Sequence, residues 1–571
     1  MRNMTAAGVH SMDQNILSLL KSAITNAVLD GFIIPSNDEF QNEYVPMHLN
    51  RLLYATGFTG SNGVAIVTLK KSAFFTDGRY LLQASQQLGD EFTILDMGEK
   101  SSCDWFDLGL KKGSVLGYDP MLHTKENLAY YEKLGDKYGF VLKPTANIVD
   151  QIWSRNEEQI NAAFELDISY TGKQYLEKFQ EVIAKMHSDA TQLLLTNSDE
   201  VCWLLNIRGA DIPYTPFLLS FALLNRNGTL QLFTDPRKVN FVQNNVEILG
   251  LEKIESLLKN AERVQVDNSK TPVKFLQILG SKAISAKSPI EKLKACKNQV
   301  EIDGFRKAHI LDGIALTKFI KWLESQDKIT EIQAAEKLLE FRQESDLFVY
   351  PSFATISAYG ANGSVIHYHP SKEHNTQIGK DTFYLLDSGG QYYCGTTDVT
   401  RTLHLGNPTT EQKKLFTLVL KGHIDLAKAK FSKGITGSHL DAIARAPLWQ
   451  EGLDFAHGTG HGVGHFLSVH EGPQRIGKGF TNAVALEPGM IVSNEPGYYE
   501  NGKFGIRIES LLLVKESNHK NFLEFETLTM VPIQENLIDY SMLDKEQVQW
   551  LKNYHATVDS LIPKNFDIKP L

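Results

Sequence analysis

One segment of the chain returns later in altered form, and that return limits the architecture more than any other feature. Residues 74–80 read Phe-Phe-Thr-Asp-Gly-Arg-Tyr, and residues 232–237 read Leu-Phe-Thr-Asp-Pro-Arg. Each closes a stretch of one plan: an apolar run ending in Gly57 or Gly209, then strand-like alternation, then the Phe-Thr-Asp segment. Val64 to Val67 and Leu218 to Leu224 carry the strand pattern. Taken alone, Phe-Thr-Asp is a common way for a strand to run into a turn. The shared plan around it points instead to duplication, giving two related α/β domains of roughly 140 residues each. These are expected at 1–150 and 151–288.

A chain of 571 residues is too long for one core. The next boundary is marked by Ser288-Pro289-Ile290-Glu291: a capping serine, proline at the first helical position and glutamate at N3. A long helix is expected to follow, with Phe305, Leu316, Phe319, Ile320 and Leu323 on one face. Thr330 with Gln333 opens a second helix, and Thr409 with Gln412 opens a third running to about Phe431. Strand-like segments lie between them, including Thr382 to Asp387 and Val399 to Leu405. The spacing of Leu551, Tyr554, Val558 and Leu561 predicts a final docked helix. A third, mixed α/β domain over 289–520 and a C-terminal extension over 521–571 complete the plan.

The balance of 42% hydrophobic and 22% charged residues is that of a globular protein rather than a disordered one. A net charge of -9, with no block of five or six basic residues, argues against nucleic acid and anionic membranes as partners. No run approaches the ~18 apolar residues of a membrane span. Cys103, Cys202, Cys296 and Cys394 are scattered, without C-x-x-C or zinc-knuckle spacing, which fits a reducing compartment. Met1 to Asp13 lacks the apolar core of a signal peptide, so a cytoplasmic location is expected.

The chemically suggestive residues gather in the third domain. Asp387 follows the apolar run Phe383-Tyr384-Leu385-Leu386, and Asp398 precedes Val399 to Leu405, with Gly389, Gly390 and Gly395 between them. Two adjacent antiparallel strands can bring both carboxylates together, and such a pair repels itself unless a proton or cation sits between. Asp-x10-Asp by itself is weak, since aspartates near turns are commonplace. The segment 457–465, His-Gly-Thr-Gly-His-Gly-Val-Gly-His, places histidines at i, i+4 and i+8, as on one helix face. Its four glycines argue against a helix and for an extended backbone packed closely against something. In that geometry the three rings need not point together. His470 and His367 add to the set. Glu495 follows the strand-like Met490-Ile491-Val492, and Arg507 and Glu509 alternate in Gly505-Ile506-Arg507-Ile508-Glu509. Glu495 also reads as a loop carboxylate, and Glu509 as a simple partner of Arg507. Together these residues make an oxygen-rich set suited to a pair of divalent ions such as manganese, cobalt, iron or zinc. Two such ions can share a bridging hydroxide and clamp the carbonyl under attack, which is hydrolytic chemistry without an organic cofactor.

The order Asp387, Asp398, His461, Glu495, Glu509 sits in Leu-Asp-Ser-Gly, Thr-Asp-Val-Thr-Arg-Thr, Gly-Thr-Gly-His-Gly-Val-Gly, Asn-Glu-Pro-Gly-Tyr-Tyr and Gly-Ile-Arg-Ile-Glu. This resembles the pita-bread metallopeptidases, and within them the three-domain X-prolyl aminopeptidases (aminopeptidase P). The resemblance covers nearly the whole chain. It implies an α/β (α+β) fold of two creatinase-like N-terminal domains followed by a pita-bread catalytic domain. It implies that the five residues hold two divalent metal ions, most often manganese, with zinc or cobalt possible. Asp387 and Asp398 would ligate, Glu509 would bridge, and His461 and Glu495 would complete one shell. It implies that His367 and His470 contact substrate, that His457 helps seat the proline side, and that Glu495 shuttles the proton. Arg79 matches an arginine that reaches the substrate region in similar enzymes; a local salt bridge with Asp77 is its other reading. His465 is not a ligand position of the family and reads as a support behind the ligands or as structural. The implied substrate is a peptide with a free N-terminus and proline second, and a homodimer is implied. A prolidase-like Xaa-Pro dipeptidase is the nearest rival, and a non-catalytic pita-bread binding protein a distant one.

Overall fold

The computed structural model describes residues 14–97, 105, 107–156, 158–480 and 483–563. Met1 to Asp13 and Cys103, read above for a leader and for redox compartment, lie outside them. The chain divides into two compact units, Met1–Glu165 with Lys173–Ile290, and Leu166–Gly172 with Glu291–Leu571.

The first unit holds two six-stranded sheets built to one connection plan. In the first sheet Gly31–Pro35 pairs antiparallel with Val64–Thr68, which pairs antiparallel with Ser72–Thr76, and Phe92–Asp96 lies parallel at that edge. Val115–Tyr118 and Val141–Pro144 extend the other side in parallel. The second sheet repeats every pairing and direction with Gln192–Leu195, Phe221–Asn225, Leu230–Phe233, Val246–Leu249, Val264–Val266 and Ala283–Ser285. In the first sheet Phe32, Ile34, Ala65, Val67 and Phe74 face one core, and Ile33, Ile66, Ala73 and Phe75 face the other. That is the period of two expected of strands buried on both faces.

The repeated Thr-Asp-x-Arg ending makes the same local fork in both copies. Asp77 accepts from the Arg79 backbone N–H, Nε and Nη2, and Asp235 accepts from the corresponding groups of Arg237. Two expectations shift. The strand expected over 218–224 begins only at Phe221, because the backbone N–H groups of Leu218 and Leu219 donate to side chains, Cys202 Sγ and Asp211 Oδ2. Gly57 terminates its helix with a positive φ, whereas in the second copy Asn206 does so. Gly209 serves close packing instead, since a Cβ there would meet the backbone of Phe217 and Leu218.

His123, in the first unit, is fully buried edge-on to Tyr118 and Tyr131. Burial lowers its pKa to about 4. The native state therefore keeps the ring neutral at pH values where the unfolded chain binds a proton. The resulting stability is complete above pH ~6.5 and is lost as pH falls toward 4, at up to about 1.4 kcal/mol per pH unit. His123→Phe should flatten the fall of the first unit's melting midpoint between pH 6.5 and 4.5; an unchanged slope would place the acid sensitivity elsewhere.

In the second unit the helix that opens at Ser288-Pro289 ends early. It spans Pro289–Ala295, and a separate helix Gln299–Glu324 starts with its own capping box, Asn298 with Glu301. The break lets Lys294 and Lys297, both buried, reach the two oxygens of buried Glu471 at 2.7 and 2.5 Å. Phe305, Leu316, Phe319, Ile320 and Leu323 are buried as expected. The capping boxes at Thr330 and Thr409 open the helices Glu331–Arg342 and Thr410–Ala427; the second stops short of Phe431, which lies in the strand Lys430–Ser432. The final helix, Lys545–Leu561, buries Leu551, Tyr554 and Val558 and leaves Leu561 exposed. A three-stranded antiparallel sheet, Ile356–Tyr359, Tyr384–Ser388 and Val399–Leu403, stands beside an antiparallel six-stranded one. The latter runs Lys430–Ser432, Phe522–Thr527, Ser510–Glu516, Ile491–Asn494, Gly460–Gly462, Glu471–Ile476. The excursion 166–172 supplies a short helix, Ile168–Thr171, whose end is tied to the start of the long helix: Asn298 Nδ2 donates to Thr171 O at 2.9 Å. Among the described residues no helix is long and apolar enough to cross a membrane.

Candidate metal centre

Tyr384–Ser388 and Val399–Leu403 pair with Asp387 opposite Thr400 and Ser388 opposite Val399. Asp398, one residue before Val399, therefore arrives beside Asp387 at one end of the pair. The crossing is tight: a Cβ on Gly389 would run into Thr397 O and Ser352 Oγ.

The glycine-rich histidine segment is extended, as its composition requires. Gly460–Gly462 forms a short strand, and a Cβ at either glycine would strike backbone carbonyls, Ser493 O for Gly460 and Glu471 O for Gly462. His461 N–H donates to Ser493 Oγ at 2.9 Å, and that hydroxyl donates to Glu495 Oε1 at 3.0 Å. His461 Nδ1 faces Gly462 O at 2.9 Å, which fixes the proton there and turns Nε2 toward Asp398 Oδ2 at 3.3 Å and Glu495 Oε1 at 3.6 Å. Glu495 N–H bonds Thr459 O at 2.9 Å, so the glutamate's strand end and the histidine segment are tied together. Glu509 is not on one strand face with Arg507, as the alternation implied. The strand Phe504–Arg507 ends before it and Ser510–Glu516 begins after it. Glu509 instead receives Thr400 Oγ1 at 2.8 Å, and its N–H donates to Thr400 O.

Among the described residues, Asp398, His461 and Glu509 offer ligand atoms all within 4.8 Å of one another. Asp387 and Glu495 join them electrostatically. Burial pushes the Asp387 carboxyl up to about 7 against the pull of Arg507, with Asp398 and Glu495 adding to the rise. Burial, then the charges of Asp398, Glu495 and Asp387, holds Glu509 well above the ordinary glutamate range. Burial alone would lower His461, but its hydrogen bond to Asp398 and the charge of Glu495 outweigh it and raise the ring to about 9. Asp387 Oδ1 is buried with no hydrogen-bond partner. Crowded buried carboxylates, an orphaned oxygen and a histidine aimed at them lack positive charge at their centre. The donor set fits divalent cations.

Arg507 is paired not with Glu509 but with Asp387, at 2.6 Å through Nη2. Its Nη1 donates to Tyr499 OH at 2.6 Å, and Tyr499 OH lies 2.9 Å from His457 Nε2. His457 Nδ1 faces Gly458 O at 2.7 Å, so both ring nitrogens are engaged by the protein. The His470 ring stands edge-on to His461, centroids 4.4 Å apart. His367 is half-buried, and the carbonyl just before it, Ile366 O, receives Arg507 Nη2 at 3.4 Å. His465 packs instead on Phe305 and over Gly304. Arg79 belongs to the first unit, where the fork with Asp77 occupies it.

The profile of metallopeptidase family M24 matches residues 303–516, and that of the C-terminal region of these peptidases matches 521–568. Two creatinase/prolidase N-terminal domain profiles match 17–152 and 154–301. A probable Xaa-Pro aminopeptidase P of Laccaria bicolor is 40% identical over 98% of this chain and 92% of its own. The chain belongs to metallopeptidase family M24. Aminopeptidase P1 of Lotus japonicus is 34% identical, with 97% of each chain covered. The crystal structure of an X-prolyl aminopeptidase from Caenorhabditis elegans, described as a cytosolic enzyme with a di-nuclear active site, superposes with a TM-score of 0.91. It is 35% identical, over 97% of this chain and 96% of that one. The expected architecture of two creatinase-like domains and a pita-bread catalytic domain holds, and the chain is a metal-dependent hydrolase.

Two parts of this M24 site were not legible beforehand. Tyr499 stood in the quoted Asn-Glu-Pro-Gly-Tyr-Tyr without a role, and its signal is an aromatic hydroxyl three residues past the proline of a candidate ligand motif. The partner of Arg507 lies 120 positions away, beyond what local spacing can show.

Proposed function

We propose that this chain is an Xaa-Pro aminopeptidase, releasing the N-terminal residue from peptides whose second residue is proline. The observation that carries the reading is the near full-length likeness to an X-prolyl aminopeptidase with a di-nuclear site, in a chain whose Asp398, His461 and Glu509 converge. In this reading Asp387, Asp398, His461, Glu495 and Glu509 hold two manganese ions. When bound, such ions lower the pKa of a shared water and polarise the carbonyl of the first residue.

The remaining work falls to the protein. Glu495, half-buried and steadied by Ser493, takes the proton of the attacking water and passes it to the departing proline nitrogen. His470, beside His461, and His367 donate to the carbonyl oxygen as charge develops on it. His457, with both nitrogens engaged, acts as part of the wall on the proline side. Proline has no N–H, so a closed apolar wall there leaves no donor of the substrate unpaired. The enzyme works as a homodimer, and in the cytosol, the location of the nematode X-prolyl aminopeptidase it resembles.

The test is proline-specific release by the purified protein, stripped of metal and then given manganese. Arg-Pro-Pro should be cleaved after arginine, and neither the stripped protein nor Asp398→Ala should cleave it. Cleavage of Xaa-Pro dipeptides alone would move the assignment to a prolidase, and cleavage of neither would remove it.

A further inference from the structure

The segment that carries His367 lies between two strands, from Tyr359 to Gln377, and has little regular structure of its own. A loop of that length needs something to fix it if a side chain within it is to be placed within tenths of an ångström. Glu331 supplies this. It is the first residue of the helix Glu331–Arg342, completely buried, and its carboxylate receives four hydrogen bonds from this one segment. Tyr359 N–H and Asn362 Nδ2 donate to Oε1 at 2.7 and 2.9 Å. Tyr368 OH and Thr376 N–H donate to Oε2, both at 2.9 Å. The Glu331 backbone joins in, its N–H donating to Thr376 O and its carbonyl accepting from Ser357 Oγ.

The other side of the segment is pinned as well. Gly363 and Gly505 lie back to back, with room for a side chain on neither. Arg507, which holds Asp387, also reaches Ile366 O. His367 is thus the residue between a carbonyl tied to the metal-side arginine and a tyrosine tied to Glu331.

We infer that Glu331 is a positioning residue for His367, acting through Tyr368, and this rests on the reading of His367 as a substrate contact. A carboxylate is needed for the task, because all four neighbours are donors. A glutamine would turn its NH2 against a backbone N–H, that of Tyr359 or that of Thr376, whichever way it faced.

The test compares kcat/KM on Arg-Pro-Pro, with manganese supplied, for Glu331→Gln, Tyr368→Phe, His367→Ala and the doubles of each with His367→Ala. Glu331→Gln should cost roughly 10–100-fold and Tyr368→Phe about 10-fold, the range seen when a supporting hydrogen bond to an active-site group is lost. In the His367→Ala background each should cost less than about 2-fold more, because the group it positions has gone. Equal losses in both backgrounds would make Glu331 a structural residue only and overturn the inference. If His367→Ala itself keeps full activity while Arg-Pro-Pro is still cleaved, the role of His367 fails first, and the inference with it. Should Glu331→Gln not fold, Tyr368→Phe, which removes one hydroxyl, carries the same comparison alone.

Discussion

Glu509→Gln should cut turnover severely while leaving the metal-stripped protein at least as stable as the parent. Glu509 is 1% exposed and shares its site with Asp387, Asp398 and Glu495, whose charges oppose its own. Replacing it with a neutral side chain of the same shape removes like-charge repulsion and retains an acceptor for Thr400 Oγ1. The same change removes the residue read as the bridge between the ions. Loss of several kcal/mol of transition-state stabilisation corresponds to a fall in kcat/KM on the order of 10³-fold. Metal binding should also stop stabilising the fold. An ion at 100 times its Kd raises stability by about 2.7 kcal/mol, and that increment should largely vanish in the variant. Melting curves with and without manganese, read beside turnover, test both halves. A variant that melts well below the stripped parent, or that keeps the full manganese increment, contradicts this account of the centre.

Arg507→Met should do the reverse and destabilise the protein before any metal is considered. Arg507 is buried, and its Nη2 is the cationic partner of Asp387. Without it, a carboxylate that burial already pushes up to about 7 stands beside Asp398 and Glu509 with no compensation. Breaking one side of such a buried pair costs about 3–5 kcal/mol. Because the cost lies in the charge left behind, Asp387→Asn in the same chain should recover a large part of it. Chemical denaturation of the stripped single and double variants decides the matter. A double variant no more stable than Arg507→Met would mean that Arg507 contributes through packing against Tyr499 rather than through Asp387. Activity should be lost in both, since Tyr499 and through it His457 lose their anchor.

These two residues also show what a sequence can and cannot reveal. Local signals carried well: the capping boxes at Thr330 and Thr409 lie where Thr and Gln three apart require, because the hydrogen bonds involved span one turn. The repeat carried too, since the strand alternation and the Phe-Thr-Asp ending that mark it are short-range signals. Of the five candidate ligands, Asp387, His461, Glu495 and Glu509 stand out in the sequence beside their own glycines or prolines, and Asp398 in a run of threonines. What failed was long-range. A pairing of Arg507 with Glu509 was the alternative that local spacing offers, whereas its partner, Asp387, lies across the fold. The helix from Ser288 was run on through Lys297 because nothing nearby shows that two lysines must both turn inward to Glu471. Nothing beside Glu331 in the sequence marks it out, because the nearest donor to its carboxylate is 28 positions away. Its four donors come from a segment that reads as featureless loop.

The excursion of residues 166–172 has a consequence for how the chain is parsed. The polypeptide passes between its two units three times, after Glu165, after Gly172 and after Ile290. No single scission can therefore free either unit whole. A fragment beginning at Glu291 would start its long helix with Asn298 deprived of Thr171, and a fragment ending at Ile290 would carry a stray piece of its neighbour. Heredity has spliced the two halves like interleaved pages. Shuffling them among relatives by one crossover would leave each recombinant with a borrowed leaf in the wrong book.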